Sequence, residues 1–211
     1  MRTVPRWALV SSGCPPVLLI SGWTVAARLE GPAYDPVTQT ISVLAAYGAA
    51  GFWVMTVAML ALGACHLLTA WALRAAALAG RLALAAGGVA ALMVALLPTP
   101  SSGGSLRHGS VATLAFTLLA VWPVLATERG GGAPWALRPA PCVAATAVMC
   151  AGAAWFLVEA SRQGSAGAVE RLVTGFQSVW PFVVVVSCVL ASPPATPPSS
   201  PRTPPLPPSG G

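Results

Sequence analysis

The chain has very little charge. Only 8% of its 211 residues are charged, no lysine occurs, and only five residues are acidic. A soluble domain usually carries roughly a quarter charged residues. Because 56% of the residues are hydrophobic, the composition indicates an integral membrane protein.

Other absences exclude further classes of protein. The net charge of +6 is spread thinly, with no basic block to bind a nucleic acid. The five cysteines form no C-x-x-C pair, so neither a disulfide framework nor a zinc ribbon is expected. No H-E-x-x-H, G-x-S-x-G, P-loop or G-x-G-x-x-G signature stands in its proper context. The sequence therefore favours a non-enzymatic protein over an enzyme.

Apolar segments recur six times along the chain. A membrane-spanning helix needs about 20 apolar residues. The pattern predicts an all-α, polytopic bundle with six spans, in one domain over residues 1–191. The predicted spans are about 7–28, 52–73, 82–98, 110–126, 142–159 and 172–191. Tryptophans near the predicted ends indicate anchors at the headgroup level, namely Trp7, Trp23, Trp53, Trp71, Trp122 and Trp155.

The two ends of the chain allow specific expectations. The first apolar segment follows two arginines and could be a cleaved signal peptide, but it is long and contains Pro15 and Pro16. A span kinked at these prolines is the better interpretation. Residues 192–211 contain nine prolines and predict a disordered cytoplasmic tail.

Arginine placement predicts the orientation. Cytoplasmic loops of membrane proteins collect positive charge. With the N-terminus inside, seven arginines fall on the inner side and four on the outer side. The inner set is Arg2, Arg6, Arg74, Arg81, Arg129, Arg138 and Arg202, and the outer set is Arg28, Arg107, Arg162 and Arg171. We therefore expect a multi-pass protein of the inner (plasma) membrane with both termini cytoplasmic.

The connector between spans 1 and 2 holds two of the five acids, in "EGPAYDPVTQTISVLAAYG". Asp35 can cap a helix whose first position is Pro36, and Gly48 can end it. Ile41 and Leu44 then share an apolar face. The pattern predicts a short amphipathic outer helix that lies on the membrane or folds over the bundle mouth. Asp35 is either only a cap or also part of a site.

His66 lies inside the second predicted span. It shares a face of small residues with Gly63 and Ala70, while Trp53 and Val57 lie on the opposite face, so we expect His66 to point into the bundle. An ionisable side chain in hydrocarbon needs a partner or a water-filled cavity. It is either a proton relay, metal ligand or substrate contact, or a neutral histidine that hydrogen-bonds a neighbouring helix.

Polar groups concentrate on the predicted outer side. Asp35, His108 and Glu159 form a candidate outer site, which could bind a divalent metal. Glu170 and Arg171 are interpreted as a surface ion pair. His66 lies 14 residues beyond the start of span 2, about 21 Å inward at 1.5 Å per residue, so only a deep cavity could join it to this site.

Three stretches give the chain a resemblance to a known family. "YDPVTQTISVLAAYGAAGFWVMTVAMLALGACHLLTAWALR", "GSLRHGSVATLAF" and "ERLVTGFQSVWPFVVVVS" resemble the family catalogued as domain of unknown function 998 over about residues 8–191. The resemblance implies a six-helix bacterial membrane protein with no established activity. It also implies that the recurring family positions correspond here to Asp35, Pro36, Ile41, Ser42, His66 and His108.

Three functions stay open on this basis. The leading hypothesis is a protein that handles a small molecule, ion or lipid through an outward polar pocket lined by Asp35, Ser42, His108 and Glu159, with His66 deeper. The alternative is a membrane-embedded hydrolase or transferase whose metal is held by His108, Asp35 and Glu159. The third is a scaffold or accessory subunit. The only partners expected are the lipid bilayer and the small molecule or lipid. The oligomeric state is open.

Overall fold

A computed structural model describes residues 4–101 and 104–191. Within these ranges the chain forms seven α-helices, two short 3-10 helices and no strand. The α-helices are α1 (Ala8–Glu30), α2 (Ile41–Leu44), α3 (Phe52–Ala72), α4 (Leu78–Leu96), α5 (Leu106–Leu125), α6 (Pro139–Arg162) and α7 (Ala166–Leu190). All except α2 are long and apolar enough to cross a membrane. The predicted all-α bundle of six spans is confirmed, and the predicted tail lies outside the described residues.

The six long helices form a closed ring. Each packs against the next along the chain, and α7 packs against α1. Because the helices alternate in direction, α3, α5 and α7 begin at the end of the bundle where residues 31–51 connect α1 to α3. We call this the lid end. The opposite end, where α1 begins and α7 ends, is the closed end.

Four of the helices begin earlier than the predicted spans. They are α4, α5, α6 and α7, which start at Leu78, Leu106, Pro139 and Ala166. The segments between the predicted and observed starts contain charged residues or prolines, which interrupt an apolar run in the sequence. In α5 the Ser105 hydroxyl caps the helix by accepting from the backbone N–H of His108 at 3.3 Å.

The closed end holds the largest apolar core. Trp122, Leu137 and Val184 are at most 1% exposed and belong to one cluster, to which all six long helices and the segment before α6 contribute residues. The prediction that Trp122 is a headgroup anchor is therefore wrong. Its position late in α5 suggested an interface, but its ring faces the bundle interior.

The predicted orientation of α3 is confirmed. Gly63, His66 and Ala70 are buried, whereas Trp53 and Val57 are more than half exposed. A Cβ on Gly63 would lie 2.7 Å from the carbonyl oxygen of Gly88 in α4. Glycine at this position lets the two helices approach closely, which fixes the histidine-bearing face toward the interior.

The connector forms a helix, but the helix begins at Ile41 and not at Asp35. Asp35 instead closes a turn, because its carboxylate accepts from the backbone N–H of Val37 at 3.0 Å and from the Thr38 hydroxyl at 2.7 Å. The carbonyls of Pro36 and Gln39, which a longer helix would use internally, accept from Arg171 of α7. These bonds to α7 thus replace the intrahelical hydrogen bonds that a further helical turn before Ile41 would have made.

A candidate ligand cavity beneath a latched lid

A cavity of about 90 Å³ opens at the lid end and runs into the bundle. It is bounded by α1, α2, α3, α4, α5 and α7. On α3 its lining extends from Met55 to His66, eleven residues apart, which is about 16 Å at 1.5 Å per residue. This depth is about half of a hydrocarbon core of roughly 30 Å. Such a volume over such a length leaves room only for a thin occupant.

The cavity is apolar in its middle and polar at its two ends. Its walls include Leu19, Met59, Leu62, Val94, Phe116 and Leu119. The polar lining residues at the lid end are Ser42, His108 and Glu170, and those at the deep end are His66, Gln177 and Ser178; Thr174 lies between them, with its hydroxyl donating to the Glu170 carbonyl at 2.8 Å. None of the arginines in the described ranges lines it. The lining thus suits an occupant with an apolar body and few polar atoms.

His66 is the one polar lining residue without a partner among the described residues. Its side chain is 1% exposed, and neither Nδ1 nor Nε2 has a hydrogen bond. The nearby Gln177 amide donates to the Phe116 carbonyl at 3.0 Å, and the Ser178 hydroxyl donates to the Gly175 carbonyl at 2.8 Å. Buried polar groups are nearly always satisfied, whereas both nitrogens of this ring remain able to bond a further polar group.

His108, in contrast, is fully engaged at the mouth. Its Nδ1 lies 2.8 Å from the Leu97 carbonyl oxygen, and its Nε2 lies 3.0 Å from the Ser42 hydroxyl. A carbonyl oxygen only accepts, so Nδ1 carries a proton. In the neutral ring Nε2 is then the acceptor of the Ser42 hydroxyl proton. The two bonds fix the ring and connect α5 to the short helix α2.

Glu170 is the second side chain that holds α2 in place by a hydrogen bond. It is 6% exposed, lines the cavity, and accepts from the backbone N–H of Ile41 at 2.5 Å. Its interpretation as half of a surface pair with Arg171 is therefore wrong. The missed signal was the polar stripe Glu170, Thr174, Gln177 on α7, whose spacing of four and three residues places these groups on one helix face toward the interior.

Arg171 anchors the turn that precedes α2. Its guanidinium donates to the carbonyls of Pro36 and Gln39 at 2.9 and 3.2 Å and to the Tyr34 hydroxyl. Its central carbon also lies 5.7 Å from the centre of the Tyr34 ring. Burial raises the pKa of the Tyr34 phenol, although the neighbouring Arg171 opposes this shift. Residues 34–45, held in this way, form the lid.

Gly167 allows the lid to approach α7 closely. A Cβ at this position would lie 2.1 Å from the carbonyl oxygen of Gln39 and 2.7 Å from that of Pro36. The next residue, Ala168, donates its backbone N–H to the Val37 carbonyl at 3.0 Å. The lid is thus seated on the first turn of α7 by backbone contacts that only glycine permits.

Asp35 and Glu159 do not line the cavity. Asp35 is exposed, and the backbone N–H of Val37 lowers the pKa of its carboxyl below the usual value. Glu159 accepts from the Trp155 indole at 3.2 Å and from the Ser165 backbone N–H at 2.8 Å, so it joins the end of α6 to the next loop. Across residues 4–101 and 104–191, no three His, Cys, Asp or Glu side chains are grouped to hold a metal ion, and the predicted ligands His108, Asp35 and Glu159 are no exception.

The structure therefore brings together three of the five candidate residues. Ser42, His66 and His108 line one cavity, with Glu170 added to them. Joining His66 to the outer groups requires a deep cavity, and Ser42 and His108 share such a cavity with His66.

These features define an integral, multi-pass helical membrane protein with a lidded cavity inside its bundle. A family model described as "Protein of unknown function (DUF998)" matches residues 14–187, and the chain belongs to that family. The comparisons with curated proteins and with solved structures gave no significant match.

Proposed function

We propose that the protein binds a small amphiphilic molecule in the lid-end cavity. The molecule places its apolar body between the helices and its hydrogen-bonding group against His66. The observation that carries this proposal is the buried His66 ring, which has two unpartnered nitrogens at the wall of a cavity. Leaving a buried polar group without a partner costs about 1–3 kcal/mol, which an occupant with a matching group would recover.

A hydroxyl group matches His66 best. A neutral imidazole has one donor and one acceptor nitrogen, and a hydroxyl can both accept and donate. Whichever nitrogen carries the proton, an alcohol can therefore bind it. The cavity volume of about 90 Å³ is smaller than the roughly 150 Å³ of an apolar cavity that binds benzene, so it suits a short alkyl chain.

Photochemical crosslinking with a diazirine-bearing six-carbon alcohol tests this proposal. With the protein in lipid nanodiscs, we expect crosslinks on cavity-lining residues that unlabelled 1-hexanol competes away. Ala115 is 7% exposed and lines the cavity, so Ala115→Phe should fill the space and abolish these crosslinks. Ala154→Phe, on an exposed face of α6, is the matched control and should keep them.

The polar contact is tested by a second comparison. The wild-type protein should bind the alcohol more tightly than the corresponding alkane, and His66→Leu should remove this preference. Crosslinks that 1-hexanol does not compete away, or that survive Ala115→Phe unchanged in a folded protein, would contradict the proposal.

The lid end lies, in this proposal, on the side of the membrane away from the cytoplasm. The support is the excess of arginines at the closed end and in the tail over those at the lid end. Thr38 is exposed on the lid, so a cysteine introduced there should react with a membrane-impermeant maleimide in intact cells. Reaction only after the cells are broken would reverse the orientation.

A further inference from the structure

The geometry of Ser42 and His108 suits proton transfer as well as holding the lid in place. A hydroxyl 3.0 Å from an imidazole nitrogen is within reach for proton transfer to a general base. The other ring nitrogen donates to the Leu97 carbonyl at 2.8 Å, which fixes the tautomer that leaves Nε2 free to accept. A nucleophile, a base and a group that orients the base are the recurring parts of activated-serine sites.

The pair is also placed where a substrate could meet it. Both residues line the cavity, Ser42 is half-buried and His108 is 5% exposed. The middle of the cavity beyond them is apolar, so a short hydrocarbon chain could lie there with its polar junction at the mouth. The mouth lies at the ends of membrane-spanning helices, where water is available as a reactant.

We propose that Ser42 and His108 form an acyl-transfer site that hydrolyses esters carrying a short or medium hydrocarbon chain. This inference rests on the proposed function, because the chain of the ester would occupy the same cavity. Ser42 is the nucleophile and His108 is the general base and acid. Leu97 positions the imidazole through its carbonyl.

The proposed reaction is balanced with water as the second reactant. Ser42 Oγ forms a bond to the ester carbonyl carbon while its proton moves to His108 Nε2. The bond to the alcohol oxygen then breaks, and His108 returns the proton to the leaving alcohol. His108 next takes a proton from a water molecule whose oxygen attacks the acyl-serine. The acid is released, and Ser42 regains its proton.

Fluorophosphonate labelling tests the inference on the full chain in nanodiscs. The reagent bonds through phosphorus to an activated serine and releases fluoride. We expect a hexyl fluorophosphonate to label Ser42 of the wild-type protein, and mass spectrometry would locate the adduct. Ser42→Ala should lose the adduct. Ser161→Ala is the matched control, because Ser161 is exposed on α6 and its hydroxyl donates to the Val158 carbonyl.

The variant His108→Asn distinguishes a catalytic role of His108 from a purely structural one. An asparagine amide can keep the donor toward the Leu97 carbonyl but supplies no base at the position of Nε2. General-base assistance is typically worth 10²–10⁴-fold, so labelling should slow by roughly a hundredfold or more. Labelling at the wild-type rate in a folded His108→Asn protein would overturn the inference and leave the pair as a latch only.

Two further comparisons keep the result interpretable. If a variant does not fold, the wild-type protein alone still decides, because Ser42 must react far faster than Ser21, Ser105 and Ser161 of the same chain. A wild-type Ser42 that reacts no faster than these would overturn the inference. Saturable binding of 1-hexanol without any Ser42 adduct would overturn the acyl-transfer site while the proposed binding function stands. Equal labelling by ethyl and hexyl reagents would overturn the role of the cavity as the chain site.

Discussion

The two ends of the bundle are built in opposite ways. At the closed end, Trp122, Leu137 and Val184 are buried in a continuous apolar core. At the lid end, five of the long helices line a cavity that reaches His66, and a short segment covers it. The largest apolar cluster thus lies toward the closed end, whereas the cavity that brings polar groups into the membrane interior lies beneath the lid.

The polar groups of the lid end also fall into two sets. Those at the mouth are satisfied by the lid, since Glu170 accepts from Ile41 and His108 bonds Ser42. His66, at the deep end, has no partner among the described residues. The difference indicates that the mouth groups hold the lid, whereas His66 is available to an occupant.

The largest expected effect comes from a pair of matched leucine truncations. Leu84 is fully buried in the closed-end core, and Leu62 is 4% exposed but lines the cavity. Leucine-to-alanine changes in cores cost about 2–5 kcal/mol. We expect the loss of unfolding free energy to be near the upper figure for Leu84→Ala and near the lower figure for Leu62→Ala. The reason is that truncating a side chain beside an existing cavity removes fewer contacts. Denaturant unfolding in detergent would measure both, and equal losses would contradict the contrast between the two ends.

A smaller effect, confined to the lid, is expected from Gly167→Ala. The added Cβ meets the Gln39 and Pro36 carbonyls, and overpacking of this kind costs about 1–3 kcal/mol. Amide hydrogen exchange over residues 36–44 should rise.

Gly175→Ala is the control on the same helix, since a Cβ added there would meet no atom within 4 Å among the described residues. Alanine is better than glycine in a helix by up to about 1 kcal/mol, so this variant should be neutral or slightly more stable. Unchanged lid exchange in a folded Gly167→Ala protein would show that the lid is not seated on this turn.

The pH dependence of the lid should come from Tyr34. Its hydroxyl donates to the carbonyls of Gln39 and Thr40 at 3.1 and 3.2 Å, and burial raises its pKa above the usual 10.0. Because the pKa of Tyr34 is raised, its stabilisation of the lid is complete below pH 10.0. This stabilisation is lost as the pH rises through the pKa of Tyr34 in the folded state. The contribution should be about 1 kcal/mol.

Hydrogen exchange of the lid as a function of pH, corrected for the intrinsic exchange rate, tests this prediction. The wild-type lid should loosen above pH 10, whereas Tyr34→Phe should show no such transition. A transition of the same size in both proteins would assign it to a group other than Tyr34. The charged side chains that act on Tyr34 are Arg171, Glu170 and Asp35.

The sequence predicted the fold more fully than the site. Runs of apolar residues determine spans, because a bilayer requires every backbone polar group to be satisfied within a helix. His66 could be selected because an ionisable group in hydrocarbon is costly, and His108 because its connector lies on the predicted outer side, before span 4. Glu170 was missed because its neighbour Arg171 suggested a surface pair, whereas the two side chains point to different partners. Tertiary docking of the lid also shortened the helix predicted from Asp35, which no local pattern could reveal.

The smallest effect is expected at Asp35. Its carboxylate closes an exposed turn, so Asp35→Ala should slightly loosen residues 36–38 and leave alcohol binding unchanged. The low pKa of this carboxyl means that its contribution is present at neutral pH and is lost as pH falls through the folded-state value. Crosslinking with the diazirine alcohol measures the binding. Loss of alcohol binding in a folded Asp35→Ala protein would show that Asp35 belongs to the binding site.

The central claim is that His66 contacts the occupant of the cavity. The chain has only two histidines, so ¹⁵N-histidine labelling gives two sets of ring signals in an NMR spectrum of the protein in nanodiscs. The His108→Asn variant identifies which set belongs to His66. We predict that saturating 1-hexanol shifts the His66 ring nitrogens, and that Ala115→Phe abolishes the shift. His66 signals that stay unchanged at saturation would contradict the claim.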